Sequence, residues 1–380
     1  MYVAIALVVL LAAGGLTFLL RRGAPRRSPP PPVRLFDEAT GDAAYLAARN
    51  FVTWRPVREA LEQAWTRVWP LCPDGPGQFA CQFRQDFHGR SWELFLLTVI
   101  IDAGLTVEPT GEAGPDICVR LPSGRRLWIE AVVPRPGTGP NAVPQRGPNF
   151  GGGSLPRDST VILRYTQALR EKLRQLNAHK AAGIVAPDDA YLIALSQGGI
   201  LDSDLQDDEL PLIARAVLGI GQTTYNFVPY SDQPGWIEVP RREHVATASG
   251  SPVSTTFLLE AETEFVSGII FARQAVYNLR WSAAESLGLL HRPRARVPLP
   301  HGVIPTRCEM WVDEEGTLLH RGKCAMFGNY AREVIPLHRR VLTRLRSLGQ
   351  LGIRFRVWRL TRHRRLDRRG HRPNLDVDLF

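Results

Sequence analysis

The chain has 380 residues, 44% of them hydrophobic, and a formal net charge of +10. That length and apolar content suit one large domain or two small ones and exclude wholesale disorder. Five cysteines, Cys72, Cys81, Cys118, Cys308 and Cys324, form no CxxC pair and are odd in number. This argues against a zinc ribbon and a disulfide framework and fits a reducing cytosol.

The charge is uneven. Thirteen arginines against the single acid Asp367 lie between Arg339 and Arg372, a block suited to the phosphates of nucleic acid or of anionic lipid.

The N-terminus reads as a membrane anchor. Tyr2 to Leu20 carries no charge, and nineteen residues of helix span roughly 28 Å, close to a bilayer core. Arg21, Arg22, Arg26 and Arg27 follow it, whereas only Met1 precedes it. A secretory signal has the reverse order, so the expectation is a single-pass helix over 2–20, N-terminus outside and the rest cytoplasmic. Pro25 and Pro29 to Pro32 make a stiff Pro/Arg-rich linker over 21–40.

A helical segment follows over 41–77, with Trp54, Leu61, Trp65 and Val68 at helical spacing, a split near Pro56 and a turn-rich break from Leu71 to Gly77. The next unit spans 78–300. Ser91 to Ala103 is an apolar helix with Ser91 as its expected N-cap and Gly104 as its stop. Leu105–Glu108 and Asp116–Leu121 read as strands. The turn Pro122-Ser123-Gly124 leads to a third, Leu127–Val133, in a hairpin.

A Gly- and Pro-rich loop over Pro134 to Asp158 is long enough to be functional. The helix Ser159–Lys180 follows, with Ile162, Tyr165, Leu169, Leu173 and Leu176 as its apolar stripe. A buried-type strand is expected over Ala190–Ser196, a helix over Leu210–Leu218, and a strand around Gly268–Phe271. In the basic C-terminal region, 301–380, Ile353 to Leu360 alternates as a strand with one basic face.

Three acids stand inside apolar runs: Glu93 in the first helix, Asp116 after Pro115, and Glu130 in Trp128-Ile129-Glu130-Ala131-Val132. Buried carboxylates are costly unless paired or metal-bound, and three converging oxygen donors suit Mg²⁺ or Mn²⁺. The plainer alternatives are an ion pair on the helix surface for Glu93, a turn carboxylate for Asp116 and a solvated charge for Lys172. No HExxH, GxSxG or Walker A motif is present.

Glu93 on the first helix, Pro115-Asp116 on the second strand and Glu130 on the third resemble the PD-(D/E)xK nuclease superfamily over roughly Gln78 to Ser196. The resemblance implies a restriction-endonuclease-like α/β fold, a mixed central sheet flanked by helices. It also implies a Mg²⁺- or Mn²⁺-dependent nuclease cutting DNA or RNA, with Glu93, Asp116 and Glu130 as metal ligands. The family's lysine two residues after Glu130 is replaced by Val132. Some members carry that lysine on the following helix, where Lys172 falls at the edge of the apolar stripe, so Lys172 is the expected fourth catalytic residue. Arg164 and Gln167 are expected at the phosphate, with Arg354, Arg356 and Arg359 of the basic strand as further nucleic-acid contacts. The alternative is a catalytically inactive module of the same fold, binding nucleic acid or anionic lipid through its Arg-rich C-terminus.

Overall fold

The computed structural model describes residues 33–72, 75–111, 113–144, 157–200, 210–222, 240–272, 281–313 and 317–322, with strand segments 224–226, 236–238 and 334–336. The 2–20 anchor, the linker up to residue 32, the glycine-rich part of the 134–158 loop and Arg354, Arg356 and Arg359 lie outside the described residues. Among the described residues no helix is long and apolar enough to cross a membrane.

Three helices build a first layer. They are α1 (Ala43–Asn50), α2 (Arg55–Val68) and α3 (Gly75–Gln85). Asp42 caps α1, its Oδ1 accepting the Tyr45 N–H at 2.7 Å, while its Oδ2 accepts the Phe87 N–H at 2.9 Å. The split before α2 is a single 3₁₀ turn over Val52–Trp54, and Pro56 sits in the first turn of α2, where its missing N–H costs nothing.

Residues 33–36, the last part of the expected linker, pack on α2. Glu62 accepts the Leu35 and Phe36 N–H groups, Trp65 Nε1 donates to the Val33 carbonyl at 2.8 Å, and Leu35 is buried. The expected break over Leu71 to Gly77 overlaps only the first turn of α3, Gly75-Pro76-Gly77, and the rest of the helix carries no assignment from sequence. Burial of Phe79, Ala80 and Phe83 is what holds it.

Helix α4 (Phe87–Asp102) corrects the expected cap. It starts one turn earlier, with Asp86 as N-cap, and Ser91 is buried inside it. The cause is tertiary: Phe87 packs edge-on to Phe83 and joins the core, extending the helix past the serine. It stops at Gly104, whose φ of +79° suits glycine.

Strands β1 (Thr106–Glu108), β2 (Ile117–Arg120) and β3 (Arg126–Val132) form an antiparallel meander. The 122–124 turn closes it, with the Leu121 N–H on the Arg125 carbonyl and Gly124 at φ +82°. Helix α5 (Asp158–Ala181) then crosses over and returns the chain as β4 (Ala190–Ser196), parallel to β3. All five residues of the expected stripe on α5 are buried. Helix α6 (Leu212–Val217) packs on α5.

Two small hairpins follow, β5 (Thr224–Asn226) with β6 (Trp236–Glu238) and β7 (His244–Ala246) with β8 (Pro252–Ser254). The main sheet resumes with β9 (Gly268–Ala272), β10 (Leu287–His291), β11 (Cys308–Val312), β12 (Thr317–Gly322) and β13 (Val334–Pro336). Its nine strands run in the order β1-β2-β3-β4-β9-β10-β11-β12-β13.

One apolar core fills the face under α1 to α4 and another the face under α5 and α6. The first contains Leu61 and Trp65 together with Leu94, Leu289 and Ile304. The expected boundaries at 77 and 300 are therefore not seams in the packing, and β11 to β13 extend the sheet past residue 300. Among the described cysteines, Cys72, Cys81 and Cys118 are thiols, whereas Cys308 is disulfide-bonded.

Candidate functional site

Four elements meet at the C-terminal end of β3. Within the otherwise buried run 91–100 of α4, Glu93 is the one residue that is only half-buried. It is ion-paired to Arg90 three residues earlier, Oε2 to Nη1 at 2.6 Å. Asp116 enters β2 and turns across the hairpin, where its Oδ2 accepts the Ala131 N–H at 2.7 Å. Glu130 pairs in register with Ile193 of β4 and so points to the α5 face. There Lys172, on α5, places its Nζ 2.6 Å from Glu130 Oε1, with only 15% of the lysine side chain and 7% of the glutamate exposed. Tyr191 on β4 donates its hydroxyl to the other Glu130 oxygen at 3.5 Å.

The electrostatics join these groups into one cluster. Burial, then repulsion from Asp116, raises Glu93 to about 8, while Arg90 and Lys172 pull it down. Burial and Asp116 raise Glu130 to about 7 against the opposing pull of Lys172. Asp116 is also raised, by burial, although Lys172, the Ala131 N–H, Arg90 and His179 oppose the rise. His179, seven residues beyond Lys172 on α5, is lowered by burial and feels both Asp116 and Lys172. Three carboxyl groups thus share Arg90 and Lys172, and burial together with the charge of Asp116 keeps Glu93 and Glu130 protonated further up the pH scale than free carboxyls.

The structure puts Lys172 on Glu130 and sets Asp116 and Glu93 within electrostatic reach of Lys172, although among the described residues the three acids are not a group whose ligand oxygens all lie within 4.8 Å of one another. Arg164 and Gln167 lie one to two turns before Lys172 on α5 and line a cavity of about 190 Å³ with Asn141, Thr166, Arg170 and Thr247. The Arg164 guanidinium rests against Gly137, φ +77°, where a side chain would collide with it, and among the described residues its buried Nε has no hydrogen-bond partner. His88, five residues before Glu93 on α4, is lowered by burial and feels Asp42 and Asp86 rather than the three acids.

Three participants escape a reading by motif. Arg90 had a signal, its i,i+3 spacing to Glu93. His179 shares a helix face with Lys172. Tyr191 has no sequence signal, because only strand pairing sets it beside Glu130. Comparison of the chain with protein-family models, with curated proteins and with solved structures finds no match.

Proposed function

We propose that this chain is a metal-dependent nuclease that hydrolyses phosphodiester bonds, with Glu93, Asp116, Glu130 and Lys172 at its centre. The observation that carries the reading is the Lys172–Glu130 contact of 2.6 Å beside two further, half-buried carboxyl groups that feel the same lysine. It supplies a lysine where the strand itself offers Val132. The succession of Glu93 helix, Asp116 strand, Glu130 strand and Lys172 helix is the one the PD-(D/E)xK resemblance implies.

The donor set fits Mg²⁺ or Mn²⁺. The oxygens are hard, the residues are held by backbone and ion-pair contacts, and a divalent cation would offset both the burial and the Asp116 repulsion that raise Glu93 and Glu130. Such an ion supplies Lewis acidity and an acidified water. The chain's own residues do the positioning. The Ala131 N–H fixes Asp116, Arg90 holds Glu93, and Tyr191 and Lys172 hold opposite oxygens of Glu130. Lys172 stands where its ammonium can orient an attacking water or meet a phosphate oxygen, while Arg164 and Gln167 offer donors in a cavity that Glu93, Asp116, Glu130 and Lys172 do not line. Within the same proposal, the 2–20 helix tethers the domain to a membrane on its cytoplasmic face, and the arginine block adds contacts to the nucleic-acid backbone that weaken with salt.

Val132 favours a second reading, an inactive module that binds nucleic acid or anionic lipid. Asp116→Asn separates the two, because the amide oxygen still accepts the Ala131 N–H while the charge is lost. The nuclease reading expects metal-dependent cleavage to fall at least a hundredfold, with the melting temperature changed little. Cleavage at the wild-type rate in this variant overturns the assignment.

A further inference from the structure

A second cluster lies on the opposite face of the sheet, three strands away from Glu130. His291 ends β10, and Glu309 lies on β11 in register with Leu289. Both belong to the face that carries Leu287 and Leu289, under α1 to α4. Because β10 and β11 are parallel, the chain between them must cross over. The connection lays Val297, Leu299 and Ile304 on that same core and delivers His301 beside the two strand residues.

Glu309 is 3% exposed. Its Oε1 accepts the N–H of Gly302, at φ +77°, with a distance of 2.8 Å. Its Oε2 is 3.0 Å from His301 Nδ1, 3.6 Å from His291 Nε2 and 3.3 Å from Arg321 Nη2. The His291 side chain is only 9% exposed, and its buried Nε2, aimed at that oxygen, stands at 3.6 Å, beyond the length of a normal hydrogen bond.

We infer that His291, His301 and Glu309 form a zinc site with an open coordination position, separate from the carboxylate centre. The donor type fits, since two imidazoles and one carboxylate are a set that Zn²⁺ takes and Mg²⁺ does not favour. So does the spacing. Ligand atoms about 2.1 Å from zinc at tetrahedral corners lie roughly 3.4 Å apart, and here the donor atoms are 3.0 and 3.6 Å from Glu309 Oε2 and all within 4.8 Å of one another. A metal between the two also gives the buried His291 nitrogen a partner at full bonding distance, which Glu309 at 3.6 Å does not.

The Gly302 N–H holds the far oxygen of Glu309 and leaves Oε2 to face the ring nitrogens, as an outer hydrogen bond orients a ligand. Arg321, 58% exposed, has room to swing outward when the ion takes that oxygen. His301 is half exposed and stacks at a tilt on Trp311, so the fourth position opens toward solvent and would hold a water or a small anionic ligand.

The test is Co²⁺ and Zn²⁺ titration of the full chain after chelator treatment, read by the visible d–d bands of cobalt and by zinc per chain in mass spectrometry. One equivalent with four- or five-coordinate bands is expected, displaced by Zn²⁺. His301→Ala, at a half-exposed position, is expected to keep the melting temperature of the metal-free protein and weaken binding tenfold or more. Glu130→Gln is expected to leave it unchanged. Absence of the bands in the wild-type chain overturns the inference, as does binding that survives His301→Ala or disappears in Glu130→Gln. None of these readouts depends on nuclease activity.

Discussion

At Glu130 one carboxylate serves two donors at once, the Lys172 ammonium on Oε1 and the Tyr191 hydroxyl on Oε2, while Asp116 pushes against its charge. Burial wins over the lysine, and the group titrates near 7 rather than near 4.5. Glu93, near 8, behaves alike. Both folded-state values lie above those of the unfolded chain, so the folded protein holds protons that the unfolded chain has released. The stability these protons contribute is fully present below about pH 4.5 and is lost as pH rises through 7 to 8. For the chelator-treated protein the melting temperature should therefore fall between pH 5 and 8.5. In Glu130→Gln, which cannot titrate there, the fall should be shallower. Equal slopes for the two proteins would show that Glu130 does not carry a raised value.

The three acids could be singled out in the sequence because charge inside an apolar run demands a partner, whereas Lys172 was singled out through the family resemblance, which implies a lysine on the helix after the third strand; its place at the edge of the helical stripe only allowed it to reach the sheet. The Gly302 N–H, the Tyr191 hydroxyl and the His291–Glu309 approach were not. Each depends on strand register or on a crossover that no local pattern specifies.

Among the elements, α5 matters most, because it carries Lys172, Arg164 and Gln167 and covers one face of the sheet. Its N-terminus is fastened by Asp158, whose Oδ2 meets Arg215 Nη1 at 3.3 Å and Arg242 Nη1 at 3.2 Å. Arg215 is 1% exposed. Removing the carboxylate withdraws charge from a buried guanidinium, so Asp158→Ala should lower stability by about 2 kcal/mol, measured by denaturant unfolding. A loss below a few tenths of a kcal/mol would mean that the pair does not hold the helix.

Element prediction succeeded where local chemistry is decisive. The 122–124 turn, the Gly104 stop, the stripe on α5 and the apolar run of β4 were each readable. It failed at α3 and at the start of α4, where burial of Phe79, Phe83 and Phe87 overrides a glycine-rich beginning and a tempting serine cap.

For the whole molecule, a single nine-stranded sheet carries the Glu130–Lys172 pair on one face and the His291–His301–Glu309 group on the other. The sequence suggested a unit ending near 300. The sheet continues because β10 and β11 pair in parallel across a crossover, a long-range choice without a local signature. The same crossover delivers His301 to its partners, which is why this cluster was not visible as a ligand motif. The +10 net charge is set mainly by the arginine block near the C-terminus.

The most direct test of the central claim is cleavage by the full chain of plasmid DNA, single-stranded DNA and RNA with Mg²⁺, Mn²⁺ or chelator, beside Glu130→Gln and Lys172→Met. The account predicts cleavage of at least one substrate that requires the metal, disappears with chelator, and falls a hundredfold or more in both variants. Cleavage that persists in chelator or in Glu130→Gln, or no cleavage of any substrate with either metal, would contradict it.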